Sequence, residues 1–279
     1  VAVLTLGLGI GLSAGSFSLT NTFLLRLLPY PESERIVRVF RTSQHSVSRP
    51  LTPADMLALR EAATSFSALA IFNGDSYALG EPGQPAELVG GMSVTADFLD
   101  VLQVKPSLGR DFAPGEDQPG QAAVALLTQR AWVRRYGSDP AVIGRIVRIN
   151  REPYTIVGVL PASFDAPLVW GPVEFILPRT LQSSHRTDRR RAWMHAVGRL
   201  KPGVTTRQAE GELATIAARL SRDFPKENGR DGLRAIPLHD SNMDGVSRSL
   251  IWLMTGLSLT MLLIACANLA SLQVARALG

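Results

Sequence analysis

An α+β domain, expected as two lobes and flanked by two transmembrane α-helices, is the architecture this sequence predicts. Three observations carry it. Two long uncharged apolar stretches stand at the ends of the chain: Val1 to Leu25, ahead of the first charge at Arg26, and Ser249 to Ala275, between Arg248 and Arg276. A bilayer core about 30 Å thick takes about 20 apolar residues in a helix, a length both stretches reach. The residues between them read as an ordinary water-soluble protein, in which strand and helix patterns alternate irregularly with hairpins. The segments are therefore expected at 1–28 for the first transmembrane helix, 29–248 for the core domain and 249–275 for the second helix.

Composition agrees once it is divided by region. The averages of 46% hydrophobic and 19% charged residues hide two populations, an apolar pair of ends and a polar middle. A net charge of +5, without a long basic run interleaved with aromatics, gives no footprint for nucleic acid. The single cysteine, Cys266, lies in the second apolar stretch, so the middle has neither a disulfide nor a thiolate metal site. The chain begins at Val1 within a hydrophobic stretch, and an N-terminally truncated piece of a longer protein is expected. The competing reading of the first stretch is a cleaved signal peptide. Its apolar run exceeds the usual core of about 7–15 residues, and no basic segment precedes it.

Gly7, Gly11 and Gly15 recur every fourth residue and share one helix face, which Ala14 and Ser18 widen. In lipid, small residues let helix backbones approach closely, so this face is a candidate packing surface. Glycine is also simply common in membrane helices. Asn21 and Asn268 are polar residues in apolar surroundings and need hydrogen-bond partners, which points to further helices outside these 279 residues.

Within the middle, Pro29-Tyr30-Pro31 ends the first helix and Ile36–Arg41 reads as a strand. Thr52 caps a helix that opens with Pro53 and runs to about Ala62. Separate strands are expected at Ala68–Phe72, Tyr77–Leu79 and Glu87–Val94, then a short helix at Ala96–Leu102 and a turn-rich connector from Pro106 to Pro119. Ala123–Leu127 is a buried strand, and Thr128 caps a helix over Gln129–Tyr136. Ile146–Ile149 and Tyr154–Val159 form a hairpin around Asn150-Arg151-Glu152. Val173–Leu177, His195–Leu200 and Leu233–Leu238 are further strands. Between the last two, Thr205 or Thr206 caps the longest helix of the domain, where Ala209, Leu213, Ile216, Ala217, Leu220 and Phe224 fall at helical spacing.

Several phrases, in order along the chain, carry a family resemblance. They are Asn21-Thr22-Phe23-Leu24-Leu25-Arg26-Leu27-Leu28-Pro29-Tyr30-Pro31, then Val94–Leu102 with Gly109-Arg110-Asp111-Phe112 and Gly115-Glu116-Asp117. Asp139-Pro140-Ala141-Val142-Ile143-Gly144-Arg145 continues through Ile149-Asn150 to Tyr154–Pro161. Gly198–Thr205 and Ala265-Cys266-Ala267-Asn268-Leu269-Ala270 follow. Together they resemble the MacB-like periplasmic core domain of FtsX-like ABC transporter permeases, and within that family the stand-alone bacterial permeases with duplicated halves. The resemblance implies a multi-pass protein of the bacterial cytoplasmic membrane with its core domain on the extracytoplasmic side. It also implies a cytoplasmic ABC ATPase, a second permease half or copy and a periplasmic partner. In that account the chain is a permease subunit rather than an enzyme. It couples the separate ATPase to movements of the outer domain for export of a substrate the sequence does not name.

The residues offer little catalytic chemistry, and no cofactor is expected. No Walker A pattern occurs. Gly11-Leu12-Ser13-Ala14-Gly15 matches the G-x-S-x-G pattern, yet it lies in an apolar helix rather than a strand-to-helix turn, so Ser13 is not read as a nucleophile. His45, His185, His195 and His239 lack ligand spacing, and His195 is expected as a core or surface residue. The densest charge cluster holds Arg186, Arg189, Arg190 and Arg191. It reads either as a solvated loop or as a docking patch for an acidic partner or anionic headgroups. Trp252 suits a membrane interface and Trp132 a core. The alternative to a permease is a membrane-tethered extracytoplasmic binding or sensor module, which downstream sequence would separate from it.

Overall fold

The computed structural model describes residues 2–21, 28–43, 46–80, 85–121, 123–181, 187–241 and 245–278. They fall into two units, Val1–Leu27 with Asn242–Gly279, and Leu28–Ser241.

The first unit is a pair of helices, α1 (Ala2–Thr20) and α8 (Gly245–Leu278). Within α8, Ser249–Asn268 is the one helical segment among the described residues long and apolar enough to cross a membrane, with a mean hydropathy of 2.1. The helices meet through hydroxyls. Thr20 and Thr255 hydrogen-bond at 2.6 Å, and the Ser13 hydroxyl donates to the Ser258 carbonyl at 3.3 Å. Residue numbers rise on one helix as they fall on the other, so the pair is antiparallel. Thr20 and Ser258 are buried, whereas Phe17, Leu253, Leu257 and Leu263 are exposed. Polar groups inside and leucines outside invert the pattern of a water-soluble hairpin.

The second unit holds one mixed sheet. Its strands are β1 (Ile36–Ser43), β2 (Ser46–Arg49), β3 (Phe66–Gly80), β4 (Glu87–Val94), β5 (Leu108–Gly109), β6 (Val124–Leu127), β7 (Ile146–Ile149), β8 (Glu152–Val159), β9 (Phe175–Pro178), β10 (His195–Leu200) and β11 (Gly232–Pro237). The order is β11-β1-β10-β3-β4-β9-β6-β8-β5, with β2 on β1 and β7 joining β3 to β8. The helices are α2 (Pro53–Ala62), α3 (Phe98–Leu102), α4 (Gln129–Tyr136), α5 (Pro167–Trp170), α6 (Thr206–Asp223) and α7 (Pro225–Asn228).

Local chemistry explains most of these boundaries. The Thr52 hydroxyl accepts from the Asp55 amide ahead of Pro53, and Thr205 forms a reciprocal capping box with Gln208. Helix α6 buries Ala209, Leu213, Ile216, Ala217 and Leu220 along one stripe. Asn150 and Arg151 both take positive φ, which gives the β7–β8 hairpin the backbone of a type I′ turn.

The sequence divides β3 at Asn73-Gly74-Asp75-Ser76, four residues with turn character, but the strand runs unbroken from Phe66 to Gly80. Tertiary partners outweigh the local preference: the Asn73 side-chain amide donates to the Trp193 carbonyl, and Asp75 accepts from the Ser93 hydroxyl. This long strand passes through the whole unit, so two separate lobes are not seen. The interior instead divides into three hydrophobic clusters. One lies around Phe98, Trp170 and Phe72, one beneath α6, and one around Ile149, Ile156 and Phe175.

Candidate functional site: the clamp behind the first helix

The residues that follow the first helix in sequence are fixed to the core by polar anchors. Tyr30 is 4% exposed. Its hydroxyl donates to the Phe164 carbonyl at 3.0 Å and accepts from the Trp170 indole at 2.6 Å. Burial pushes the Tyr30 phenol above its usual range, so the group stays neutral and can donate. Trp170 stacks edge-on against Phe72 and Phe98, which carries this anchor into the first cluster. Tyr30→Phe removes a buried acceptor from the indole, and a loss of about 1–3 kcal/mol is expected in chemical denaturation.

Arg199 is the second anchor. It lies on β10 between Gly198 and Leu200 and is 1% exposed. Its Nε donates to the Val101 carbonyl at 2.7 Å and Nη2 to the Pro31 carbonyl at 2.9 Å, while Nη1 reaches the Glu32 carbonyl at 3.5 Å. The buried guanidinium is thus held by the C-terminal end of α3 and by the segment entering β1. Such a cation suits carbonyl oxygens at a helix end. Burial lowers its pKa, and nearby Arg35 adds to that. Arg35 donates in turn to the Leu200 carbonyl from Nε and Nη2. At the other exit from the domain, Leu238 is fully buried in the same cluster as Tyr30.

A second polar centre lies under α6. Asp55, 1% exposed, receives Arg189 at 2.7 Å, Asn228 at 3.0 Å and Arg41 at 3.3 Å. Arg41 also binds Asp231 and the Glu227 carbonyl. Arg189 lies 3.6 Å from the Phe224 ring centroid, a cation–π contact.

Arg189 is turned inward onto Asp55, so it belongs to a structural ion pair. Arg190 and Arg191 are exposed, and Arg186 lies outside the described residues. Gly7, Gly11 and Gly15 are exposed, with open space where a Cβ would stand, and Asn21 and Asn268 are exposed as well. Hydrogen bonds between α1 and α8 join Ser13 to Ser258 and Thr20 to Thr255. Ser13 serves packing. His195 sits against Arg38 at 3.1 Å and is lowered in pKa by burial and then by that arginine. Trp132 is half-buried, and its indole donates to the Asp139 carbonyl at 2.8 Å. Among the described residues, no group of histidine, cysteine and carboxylate side chains could hold a metal.

Asp111 carries a pH signature. Burial raises its carboxyl to about 6, the Phe112 amide works against this, and nearby Asp100 adds to the rise. A raised acid binds protons more tightly in the folded state, so stability falls as pH rises from about 4 through 6. Asp111→Asn is expected to stabilise the protein at pH 8, with the gain vanishing below pH 4 in thermal unfolding scans.

The model of the MacB-like periplasmic core domain matches residues 1–216 of the chain. The chain belongs to that family. It is accordingly of the ABC transporter permease type, MacB-like and FtsX-like. Solved structures agree on the fold. A domain of a permease protein from Porphyromonas gingivalis aligns with a TM-score of 0.54 at 17% identity, covering 75% of this chain and 91% of that one. The periplasmic region of MacB from Actinobacillus actinomycetemcomitans gives 0.54 at 12% identity, covering 82% and 97%. The extracellular domain of the noncanonic ABC-type transporter YknZ from Gram-positive bacteria gives 0.51 at 13%, covering 72% and 99%. No curated protein sequence matches the chain.

Proposed function

We propose that this MacB-like chain is the part of an ABC permease that receives movement from its membrane helices and carries it into an extracytoplasmic domain. A separate cytoplasmic ATPase drives the cycle. The observation behind this reading is the clamp. From Tyr30 onward, the chain leaving the first helix is fixed by Trp170, Phe164 and Arg199, so a pull on that segment acts on the core rather than on a slack linker. The lipid-type pattern of α1 and α8 supports a bilayer around both, with α1 as a second span. The open glycine face of α1, with Asn21 and Asn268, is left for helices of the other permease half or copy.

Two experiments test this reading. Deleting the cognate ATPase is expected to abolish the protein's transport phenotype, and unchanged transport would sink it. In intact spheroplasts, added protease is expected to cleave within residues 28–241, and protection of that region would overturn the outward placement.

A further inference from the structure

The sheet has a notch in the middle of its longest strand. On one side β3 is paired with β4 from Phe72 to Leu79. On the other side, β10 covers it as far as Phe72, opposite His195, and β7 takes over at Leu79. The Ile71 carbonyl accepts from Thr95 on the β4 side. Even-numbered residues of this stretch therefore point their N–H and C=O groups away from β4. Ala78 fits that parity and is closed by one residue: its carbonyl accepts from the Asn150 amide and its amide donates to the Asn150 side chain. Gly74 and Ser76 are exposed, and among the described residues no strand meets them on this side.

The notch has a cause in the chain. Continuing the β10 register would set Trp193 opposite Gly74 and Arg191 opposite Ser76. Instead Met194 and Trp193 both donate to the Leu51 carbonyl, which draws the chain off the sheet. Beside the notch, the backbone of residues 74–76 and 90–91 floors a groove of about 400 Å³ walled by Trp170, Pro172 and Val173. No Cβ narrows it at Gly74.

We propose that this notch is a docking site for an extended segment of a partner polypeptide, which adds a short strand to β3 between β10 and β7. Four main-chain groups in register, two donors and two acceptors, are the chemistry an extended backbone completes. A second copy of this domain does not fit. β10 and β7 lie in the plane of the sheet at either end of the notch and bar a folded sheet edge, whereas a single strand passes between them. Charge selects further. Exposed Arg148 and Arg151 adjoin Asn150 at the β7 end, so the preferred segment is acidic where it meets β7. An apolar side chain at its centre can turn into the groove against Trp170. This site goes beyond the transport reading and does not depend on it, because its readout needs no ATPase.

The probe is an acetylated seven-residue peptide of alternating valine and threonine with an aspartate at each end, added to the full-length protein in nanodiscs. Saturable binding is expected, with slowed hydrogen exchange at the Gly74 and Ser76 amides and at least tenfold weaker binding of the lysine-ended peptide. Ser76→Pro deletes an N–H that faces the notch and leaves the β4 ladder intact, so it should weaken binding at least tenfold while the β3–β4 amides stay protected. If that variant does not fold, exchange at Gly74 and Ser76 in the unmodified protein decides alone. Absent protection at those two amides, equal binding of both peptides, or full binding to folded Ser76→Pro would each overturn the proposal.

Discussion

Asp55→Ala is expected to cost about 3–5 kcal/mol, because it strands two guanidinium groups that one carboxylate now neutralises. Asp55 is 1% exposed, and Arg41 beside it is 5% exposed. With the carboxylate gone, Arg41 keeps Asp231 and the Glu227 carbonyl, but Arg189 keeps only the face of Phe224 among these contacts. The Asn228 amide loses its acceptor as well. Equilibrium urea unfolding of the protein measures the loss directly. Arg189→Ala alone should cost less, since its side chain is 17% exposed and water can enter. The double variant should fall short of the summed single losses by about 0.5–3 kcal/mol, as coupled residues do. Strict additivity would mean that Arg189 and Asp55 are not energetically linked.

Arg199→Met is expected to cost about 3 kcal/mol, because hydrogen bonds from a charged donor are worth about 1.5–3 kcal/mol each and methionine recovers part of the loss through packing. For a domain of this size that corresponds to a fall in Tm of about 6–12 °C. The functional consequence separates this site from an ordinary core position. Arg199 holds the Pro31 and Glu32 carbonyls, so its loss frees these two residues ahead of β1. Transport should fall further than the loss of folded protein explains, whereas Asp55→Ala should lower transport only in proportion to folded protein. Equal behaviour of the two variants, each normalised to folded protein, would remove the clamp from the account.

Much of the secondary structure was legible because it rests on local chemistry. Thr52-Pro53, Thr128 and Thr205 each announce a helix start with an oxygen three residues ahead of an unpaired amide, and each is a cap in the structure. The stripe of α6 and the Asn150-Arg151 turn are legible for the same reason. The break expected at Asn73–Ser76 failed because the partners that override turn preference, Ser93 and Trp193, are 18 and 120 residues away in sequence. The clamp was hidden more deeply. Nothing local marks Arg199 as buried, apart from its place as an arginine in a strand whose other residues are largely apolar. Tyr30 was visible only as part of a helix-ending Pro-Tyr-Pro. The arginine cluster reads as one patch in sequence, yet Arg189 faces Asp55 while Arg190 and Arg191 face water, a division set by a carboxylate 134 residues earlier.

ATP turnover by a partner is expected to move the outer domain relative to the membrane helices. The most direct test of that movement is a distance between spin labels at Val133 on α4 and Leu253 on α8, both exposed, in the full-length protein reconstituted with its ATPase. The distance distribution should shift between the nucleotide-free and ATP–vanadate-trapped states, and Arg199→Met should narrow the shift. An identical distribution in both states, with ATP hydrolysis intact, would contradict it.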